Sequence, residues 1–448
     1  MVLTQGDLDA RLEGSLSEIL DEFRGVGVDT IDIEKVLWDA RQKRMRDGIN
    51  MVPSETRISP KAKLIGYLAI HAGLNGRYAE GFPGARYYPG TFANDVLEPI
   101  LISLVKEVFG AEYADIRPPT ANIANLAVFL SLAEGGDNVM AYTTLRGGHI
   151  SASKVGSLGL RTKTRGRNLD EHYITIPLSE NGYQMDIEKT KAILYKHRPI
   201  LMVIGKSLFL FPEPVEELRK VCDETGTVLM YDGAHVSGLI AGGQFQNPLQ
   251  EGAHVFNIST HKTIPGDQGG VIMTNDQKLF ERVASGVMPG GVSNHHLHRI
   301  APLIVTLREV KEEGRPYANQ VVRNAVAFAH ALAKYGLEPE AKELGYTASH
   351  QVALNVRKLL SIDGKTAEKI LERNSIYANH NGLPRVDKSV KYVSGIRTGV
   401  QEITLQGMRE DDMDRVAWFY KRALVDTANV ASEVKSFAIM FPHRHYAR

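Results

Sequence analysis

Residues Tyr231–Gly270 read YDGAHVSGLIAGGQFQNPLQEGAHVFNISTHKTIPGDQGG. An apolar run, 227–230, delivers Asp232, with Ala234 and His235 directly after it. A second run, 254–258, delivers Ser259, Thr260, His261 and Lys262, and a Gly-rich turn closes the stretch. Short apolar runs bounded by Gly and Asp read as buried strands. In open α/β sheets, functional groups gather at the carboxyl ends of such strands. Asp232 and Lys262 are therefore expected at the same edge of one sheet.

A lysine in that place suggests a Schiff-base amine. An aspartate on the neighbouring strand suggests a partner for a pyridinium nitrogen. Together they suggest pyridoxal phosphate (PLP). Taken singly, Asp232 also reads as a turn cap and Lys262 as an ordinary surface lysine, so the case needs further residues.

At 448 residues the chain is too long for one compact core, and two or three domains are expected. Hydrophobic content of 43% and charged content of 23% are those of an ordinary globular protein. The net charge of +1 gives no argument for nucleic acid or an acidic membrane as a partner. Cys222 is the one cysteine, so no intrachain disulfide can form. A reducing, cytoplasmic compartment fits. Cys222 sits in the periodic stretch VEELRKVC and reads as a packing residue. The early charges of MVLTQGDLDARLEG argue against a secretory segment. The absence of an 18-residue apolar run argues against a membrane span.

Helical periodicity over 4–23 and 33–49 predicts a helical N-terminal arm. Met51–Gly90 is less regular. Its part GRYAEGFPGARYYPG carries Tyr78, Glu80, Arg86, Tyr87 and Tyr88 on a Gly-Pro framework. That composition suits a site wall, and equally a well-packed turn. A helix is expected over 95–109. Pro118 and Pro119 fit the start of another, with Thr120 and Asn122 able to cap it. Free N–H groups there would suit a phosphate; simple capping by Thr120 explains the same residues without a ligand.

A strand over 137–142 leads into TLRGGHIS, which places His149 in a Gly-rich turn where its ring could lie flat against a ligand. The basic run 161–167 reads as a solvated loop. Gly205-Lys206-Ser207 comes after a strand over 199–203, but a phosphate-binding P-loop needs glycine where Ile200 stands. Strand and helix signals alternate from 137 to 275, predicting a mainly parallel sheet covered on both faces. His295, His296 and His298 lack the cysteines or carboxylates of a metal set, so no metal is expected. A long charged helix from Leu303 to Tyr335 reads as the bridge to a C-terminal domain with strand HQVALNV, helix TAEKILERN and the stretch YVSGIRTGVQEITLQGM. There Arg397 is either a carboxylate fork or a surface ion pair. The tail 442–448 reads as loosely ordered.

The set PSET, RYAEGFPGARYY, RGGHISAS, YDGAHVSGL, STHKTIPG and SGIRTG, collinear from about 51 to 408, resembles serine hydroxymethyltransferase and its relatives among the fold-type I PLP enzymes. The resemblance implies an α/β fold-type I PLP transferase. Its parts would be an N-terminal helical arm over 1–50, a large PLP-binding domain with a mainly parallel sheet over 51–312, and a smaller α+β C-terminal domain over 313–448. It also implies a homodimer with shared active sites. Lys262 resembles the lysine bound to the cofactor, Asp232 the partner of the pyridine nitrogen, and His149 the histidine stacked on the ring. His235 and Ser207 resemble contacts near the phenolic oxygen. Ser259 and His261 share the cofactor-binding STHK turn. Thr120, Ala121 and Asn122 occupy the place of a Ser-Gly-Ser phosphate cradle, and Tyr78 resembles a phosphate contact from the other subunit. Glu80 resembles the acid/base glutamate, Tyr87 a site tyrosine, and Ser54 and Arg397 the substrate carboxylate contacts.

The chemistry so implied makes or breaks the Cα–Cβ bond of a β-hydroxy amino acid by retro-aldol or aldol reaction. Serine, glycine or threonine would be the substrate, with tetrahydrofolate or a modified pterin as co-substrate. The sequence departs from the family at Ser54-Glu55-Thr56, where Ser-Glu-Asn is usual, and at Asn122 in the cradle. The loop PGGVSNHH lacks the expected Gly-Gly-Pro. Ser293-Asn294 and HKTIPG are more similar to the folate-independent L-threonine transaldolases. The Glu80 loop and Asn379-His380-Asn381, with Asn381 at a pterin-contact position, are more similar to the folate users. A threonine aldolase or transaldolase is thus the alternative. A non-catalytic PLP-fold interaction protein is a third reading.

Overall fold

The computed structural model describes residues 37–164, 172–384, 386–389 and 391–441. The expected helix over 4–23 and the tail 442–448 lie outside these, as do the last residues of the basic run. Among the described residues, seven strands form the main sheet: β1 Tyr113–Asp115, β2 Val139–Ala141, β3 Tyr173–Thr175, β4 Leu201–Ile204, β5 Val228–Asp232, β6 Val255–Ser259 and β7 Gly270–Thr274. Their order is β1-β7-β6-β5-β4-β2-β3. β2 to β6 are mutually parallel. β7 is antiparallel to both neighbours, so β1 points the same way as the rest.

The cause is visible in the strand sequences. LMVI, VLMYD and VFNIS carry almost no polar face, because a parallel sheet is covered on both sides. Alternate residues enter two different cores. Leu201, Val203, Met230 and Val255 pack with Ala124, Val128 and Phe129 of the Ala121–Leu132 helix. Met202, Ile204, Leu229, Tyr231 and Phe256 join the larger core on the opposite face. Cys222 is buried in that larger core, on the Val215–Thr225 helix, as its periodicity predicts.

The expected bridge forms as a 35-residue helix, Ile300–Lys334, which packs on the helices Pro60–His71, Phe92–Phe109 and Glu410–Leu424. Position 312 lies inside it. Beyond it, the strands Gln351–Asn355, Gly395–Gly399 and Asn379–Asn381 make an antiparallel three-stranded sheet in that spatial order. Two readings need correction. The stretch from Met51 contains a regular helix, Pro60–His71, with Pro60 at its first position and the Ser59 hydroxyl accepting from the Ala62 N–H at 3.0 Å. The helix expected to continue to Ile49 ends in a π-turn, Gln42–Arg46. Ile49–Asn50 is instead a short strand parallel to Ile376–Tyr377.

The carboxyl ends of β2, β4, β5 and β6 face one edge, as such sheets require. One glycine sets how closely two of them approach. Gly205, directly after β4, has φ +123°, and a Cβ there would lie 2.1 Å from the carbonyl oxygen of Asp232. Gly205→Ala should therefore force β4 and the end of β5 apart. We expect a loss of about 3 kcal/mol of stability, read as a lowered urea midpoint. An unchanged midpoint would show that the approach is not obligatory.

Candidate active site

Asp232 ends β5 and is buried. Its Oδ1 accepts from the Ala234 N–H at 3.1 Å. Its Oδ2 accepts from Asn125 Nδ2 at 2.7 Å. The same Asn125 amide donates to Ser151 Oγ at 3.0 Å, and its Oδ1 accepts from Asn257 Nδ2 at 3.0 Å. Asn125 and Asn257 are polar residues in an apolar helix and an apolar strand. Sequence reasoning does not single them out, although a polar side chain where the pattern demands an apolar one is a usable signal.

Ser151 carries the network on to His149. The Ser151 backbone N–H donates to His149 Nδ1 at 3.2 Å, and the Ser151 hydroxyl lies 2.8 Å from the same nitrogen. A backbone N–H can only donate, so Nδ1 is an acceptor and a neutral His149 carries its proton on Nε2. Burial lowers the pKa of His149. Asp232 opposes that shift, while Lys262 and Arg397 add to it.

Lys262 lies three residues beyond β6 and is half-buried. Burial brings its pKa from 10.5 down to about 8, with Asp232 opposing and Arg397 assisting. Its amine makes no hydrogen bond among the described residues, and its carbonyl accepts from the Thr56 hydroxyl. His261 Nδ1 lies 3.0 Å from Ser259 Oγ. Burial, then the Lys262 charge, holds His261 at about 4.

Arg397, in the Gly395–Gly399 strand, is buried rather than on the surface. Its Nη1 donates to the Ser207 carbonyl at 2.5 Å, and Nε and Nη2 donate to Asn379 Oδ1 at 3.3 and 3.2 Å. No carboxylate among the described residues pairs with it. Burial lowers its pKa to about 10, which still leaves it charged at neutral pH.

Ser54, His149, Ser207, His235, Lys262 and Arg397 line one cavity of about 370 Å³, with Asn381 and His380 also on its wall. Ser54 is held there from both sides: Gln401 Nε2 donates to the carbonyls of Val52 and Glu55, both at 2.8 Å, and the Gly399 N–H donates to Met51 O at 2.8 Å. Asp232, Ser259 and His261 do not line the wall. Thr120, Ala121 and Asn122 stand at the start of the Ala121–Leu132 helix and are not among the residues on the wall. Thr120 Oγ1 caps it by accepting from the Ile123 N–H at 3.2 Å, and Asn122 is exposed.

Tyr78, Glu80 and Tyr87 are not brought to this cavity within one chain. They sit about a tight hairpin, Gly81–Phe82 against Ala85–Arg86, with Tyr87 83% exposed and the Tyr78 and Tyr88 rings 5.3 Å apart. The segment 288–299, just ahead of the long helix, supports this region. Asn294 Nδ2 donates to the Arg77 carbonyl at 3.0 Å, and His295 Nε2 pairs with Glu98 Oε1 at 2.8 Å.

The family model described as serine hydroxymethyltransferase matches residues 29–420. The serine hydroxymethyltransferase of Pyrococcus horikoshii is 41% identical over 423 residues, covering 92% of this chain and 96% of its own. That of Pyrobaculum neutrophilum is 43% identical over 398 residues, covering 88% and 89%. A crystal structure of L-threonine transaldolase from Pseudomonas fluorescens superposes with a TM-score of 0.81 at 24% identity, over 98% of this chain and 96% of that one. At that identity the likeness shows the fold.

An amine with a pKa of about 8 is a usable nucleophile near neutral pH, and its reactivity rises as pH climbs through that value. In protein freed of any carbonyl compound, modification of Lys262 by an amine reagent, detected by mass spectrometry, should be half-maximal near pH 8. Asp232→Asn should move the midpoint lower, since the aspartate charge stabilises the ammonium. A midpoint near the ordinary 10.5 would contradict the placement of Lys262.

Proposed function

This chain belongs to the serine hydroxymethyltransferase family and is a PLP-dependent enzyme of fold type I; from that premise we propose that it interconverts serine and glycine with a one-carbon pterin as the second substrate. The observation that carries the reading is a pair of cations in one cavity. Lys262 has an amine whose pKa burial lowers to about 8, and Arg397 is a buried guanidinium with no carboxylate of the described residues opposite it.

The residues present fit the cofactor. Lys262 offers the amine, Asp232 an anion fixed in orientation by Asn125, and His149 a neutral ring on the wall. The start of the Ala121–Leu132 helix offers free N–H groups near a glycine approach: a Cβ on Gly270 would lie 2.4 Å from the Thr120 carbonyl oxygen. Tyr78 of a second copy would complete the phosphate contacts, and Ser207 and His235 would face the ring oxygen. When bound, PLP supplies the electron sink that takes up the charge of a broken bond at the amino acid's α-carbon.

The chain's own residues do the rest. Arg397 and Ser54 bind the substrate carboxylate and fix which α-carbon bond stands free to break. Glu80, reaching in from the second copy of a homodimer, takes the proton of the serine hydroxyl during cleavage and returns it in the reverse direction. Tyr87 closes that side. Asn381, also on the cavity wall, would meet the pterin.

A folate-independent threonine aldolase or transaldolase is the competing reading, motivated by Ser293-Asn294. The Asn294 amide is occupied by the Arg77 carbonyl, which supports a structural use for that motif. Glycine formed from serine only when tetrahydrofolate or a modified pterin is present would support the first reading. Acetaldehyde released from threonine without pterin, with no pterin-dependent serine cleavage, would replace it by the second.

Two variants assign roles. Arg397→Ala should raise KM for serine roughly 100-fold, since a charge-assisted pair contributes about 3 kcal/mol. Glu80→Gln should lower kcat roughly 10²- to 10⁴-fold while KM for serine stays within a few-fold. A kcat left unchanged by Glu80→Gln would remove it from the proton-transfer role.

A further inference from the structure

Gln351 begins the Gln351–Asn355 strand and is fully buried. Its amide orientation is set by its neighbours. Oε1 accepts from the Phe209 backbone N–H at 2.9 Å, which fixes the nitrogen on the other side. Nε2 has two protons and three neighbours: the Ser207 carbonyl oxygen at 3.2 Å, His235 Nδ1 at 3.0 Å and His350 Nε2 at 3.3 Å. The third cannot accept. His350 Nε2 also lies 3.1 Å from the Pro53 carbonyl oxygen, which has no proton to give, so His350 is protonated there. Both Gln351 protons therefore go to Ser207 and to His235 Nδ1.

A neutral imidazole that accepts at Nδ1 carries its proton on Nε2. His235 is held neutral by burial, and the charges of Lys262 and Arg397 push the same way. Its Nε2 has no partner among the described residues, on a ring that lines the cavity. His149 reaches the same state by the Ser151 N–H at its Nδ1. His149 and His235 thus carry the proton on the nitrogen left for a ligand, whereas His380, also on the wall, turns its Nδ1 to the Glu368 carboxylate.

We infer that Gln351 is a positioning residue that fixes His235 as an Nε2–H donor, so that this point of the cavity selects a ligand oxygen that accepts, phenolate or carboxylate, over one that must donate. The inference deepens the proposed cofactor and amino-acid site and rests on that reading for the identity of the ligand, though not for the tautomer.

The test is long-range ¹H–¹⁵N spectroscopy of the purified full-length protein with ¹⁵N-labelled imidazoles, with His235 assigned by the signals lost in His235→Asn. The expected pattern is a proton-bearing Nε2 and a bare Nδ1. Gln351→Glu keeps an acceptor for Phe209 but presents a carboxylate to Nδ1, so in the neutral ring the proton should move from Nε2 to Nδ1 and leave the cavity-facing nitrogen bare. Release of bound PLP should then be at least about tenfold faster. Gln351→Leu removes the acceptor for Phe209 and could unfold the region, which makes Gln351→Glu the deciding variant. A proton on Nδ1 in the unsubstituted protein, or an unchanged pattern in Gln351→Glu, overturns the inference. So does unchanged PLP release after the pattern has changed. A protein that never binds PLP would defeat the proposed function yet still report the tautomer.

Discussion

One carbonyl oxygen ties the seven-stranded sheet to the C-terminal three-stranded sheet. Ser207 O, just past the end of β4, accepts from Arg397 Nη1 and from Gln351 Nε2, both carried by the C-terminal three-stranded sheet. A carbonyl has two lone pairs, and here both are occupied. A buried guanidinium is tolerated only when its protons are satisfied. Arg397 meets part of that demand with Ser207 O and Asn379 Oδ1, and neither acceptor carries a charge. The positive charge therefore remains for whatever anion enters the cavity. Had the neighbour been an aspartate or glutamate, the same arginine would be structurally content and chemically silent.

That constraint orders the rest of the electrostatics. Arg397 and Lys262 are both cationic or partly so, and the arginine charge lowers the lysine's affinity for a proton. One buried carboxylate, Asp232, stands against them, held by Asn125 and the Ala234 N–H. His149, His235 and His350 add no charge, because burial and the cations keep them neutral, His350 at about 3. The cavity thus carries a net excess of positive charge surrounded by donors of fixed direction. Such an arrangement suits anionic ligands, and it needs no reorganisation when they arrive.

Much of this is legible in the chain. Asp232 and Lys262 can be placed because parallel strands are written as unbroken apolar runs, and the residues just beyond such a run fall at the sheet edge. Arg397 is visible as a charge inside a strand, though its burial is not. The residues that orient these groups are hidden. Asn125 lies one turn into an apolar helix, Asn257 inside VFNIS, and Gln351 at the head of QVALN. Each bonds across more than a hundred residues of sequence, or reaches a group that only tertiary packing brings near. The Pro60–His71 helix escapes notice for a different reason. Its apolar and charged residues are not segregated on two faces, so periodicity gives no warning, and only the Ser59-Pro60 start is there to be read.

The hairpin that carries Glu80 obeys the opposite logic from the cavity. Arg86 lies beneath it, with Nη1 donating to the carbonyls of Ala79 at 2.7 Å and Gly81 at 2.8 Å, the two residues that flank Glu80. Its other nitrogens pair with Asp95 and Glu98, both at 2.8 Å, and Glu98 is braced in turn by His295. A surface turn of Gly and Pro has no need of a buried arginine shared between two carboxylates. The arrangement holds the backbone on either side of one glutamate while Tyr87 and Phe92 remain largely exposed. Rigid backbone and exposed aromatics together describe a part finished on its inner side and waiting for a surface on its outer one. In the proposed homodimer that surface is the second copy's cavity, where a glutamate must arrive within hydrogen-bond reach of a hydroxyl, and an unbraced loop would not deliver it there.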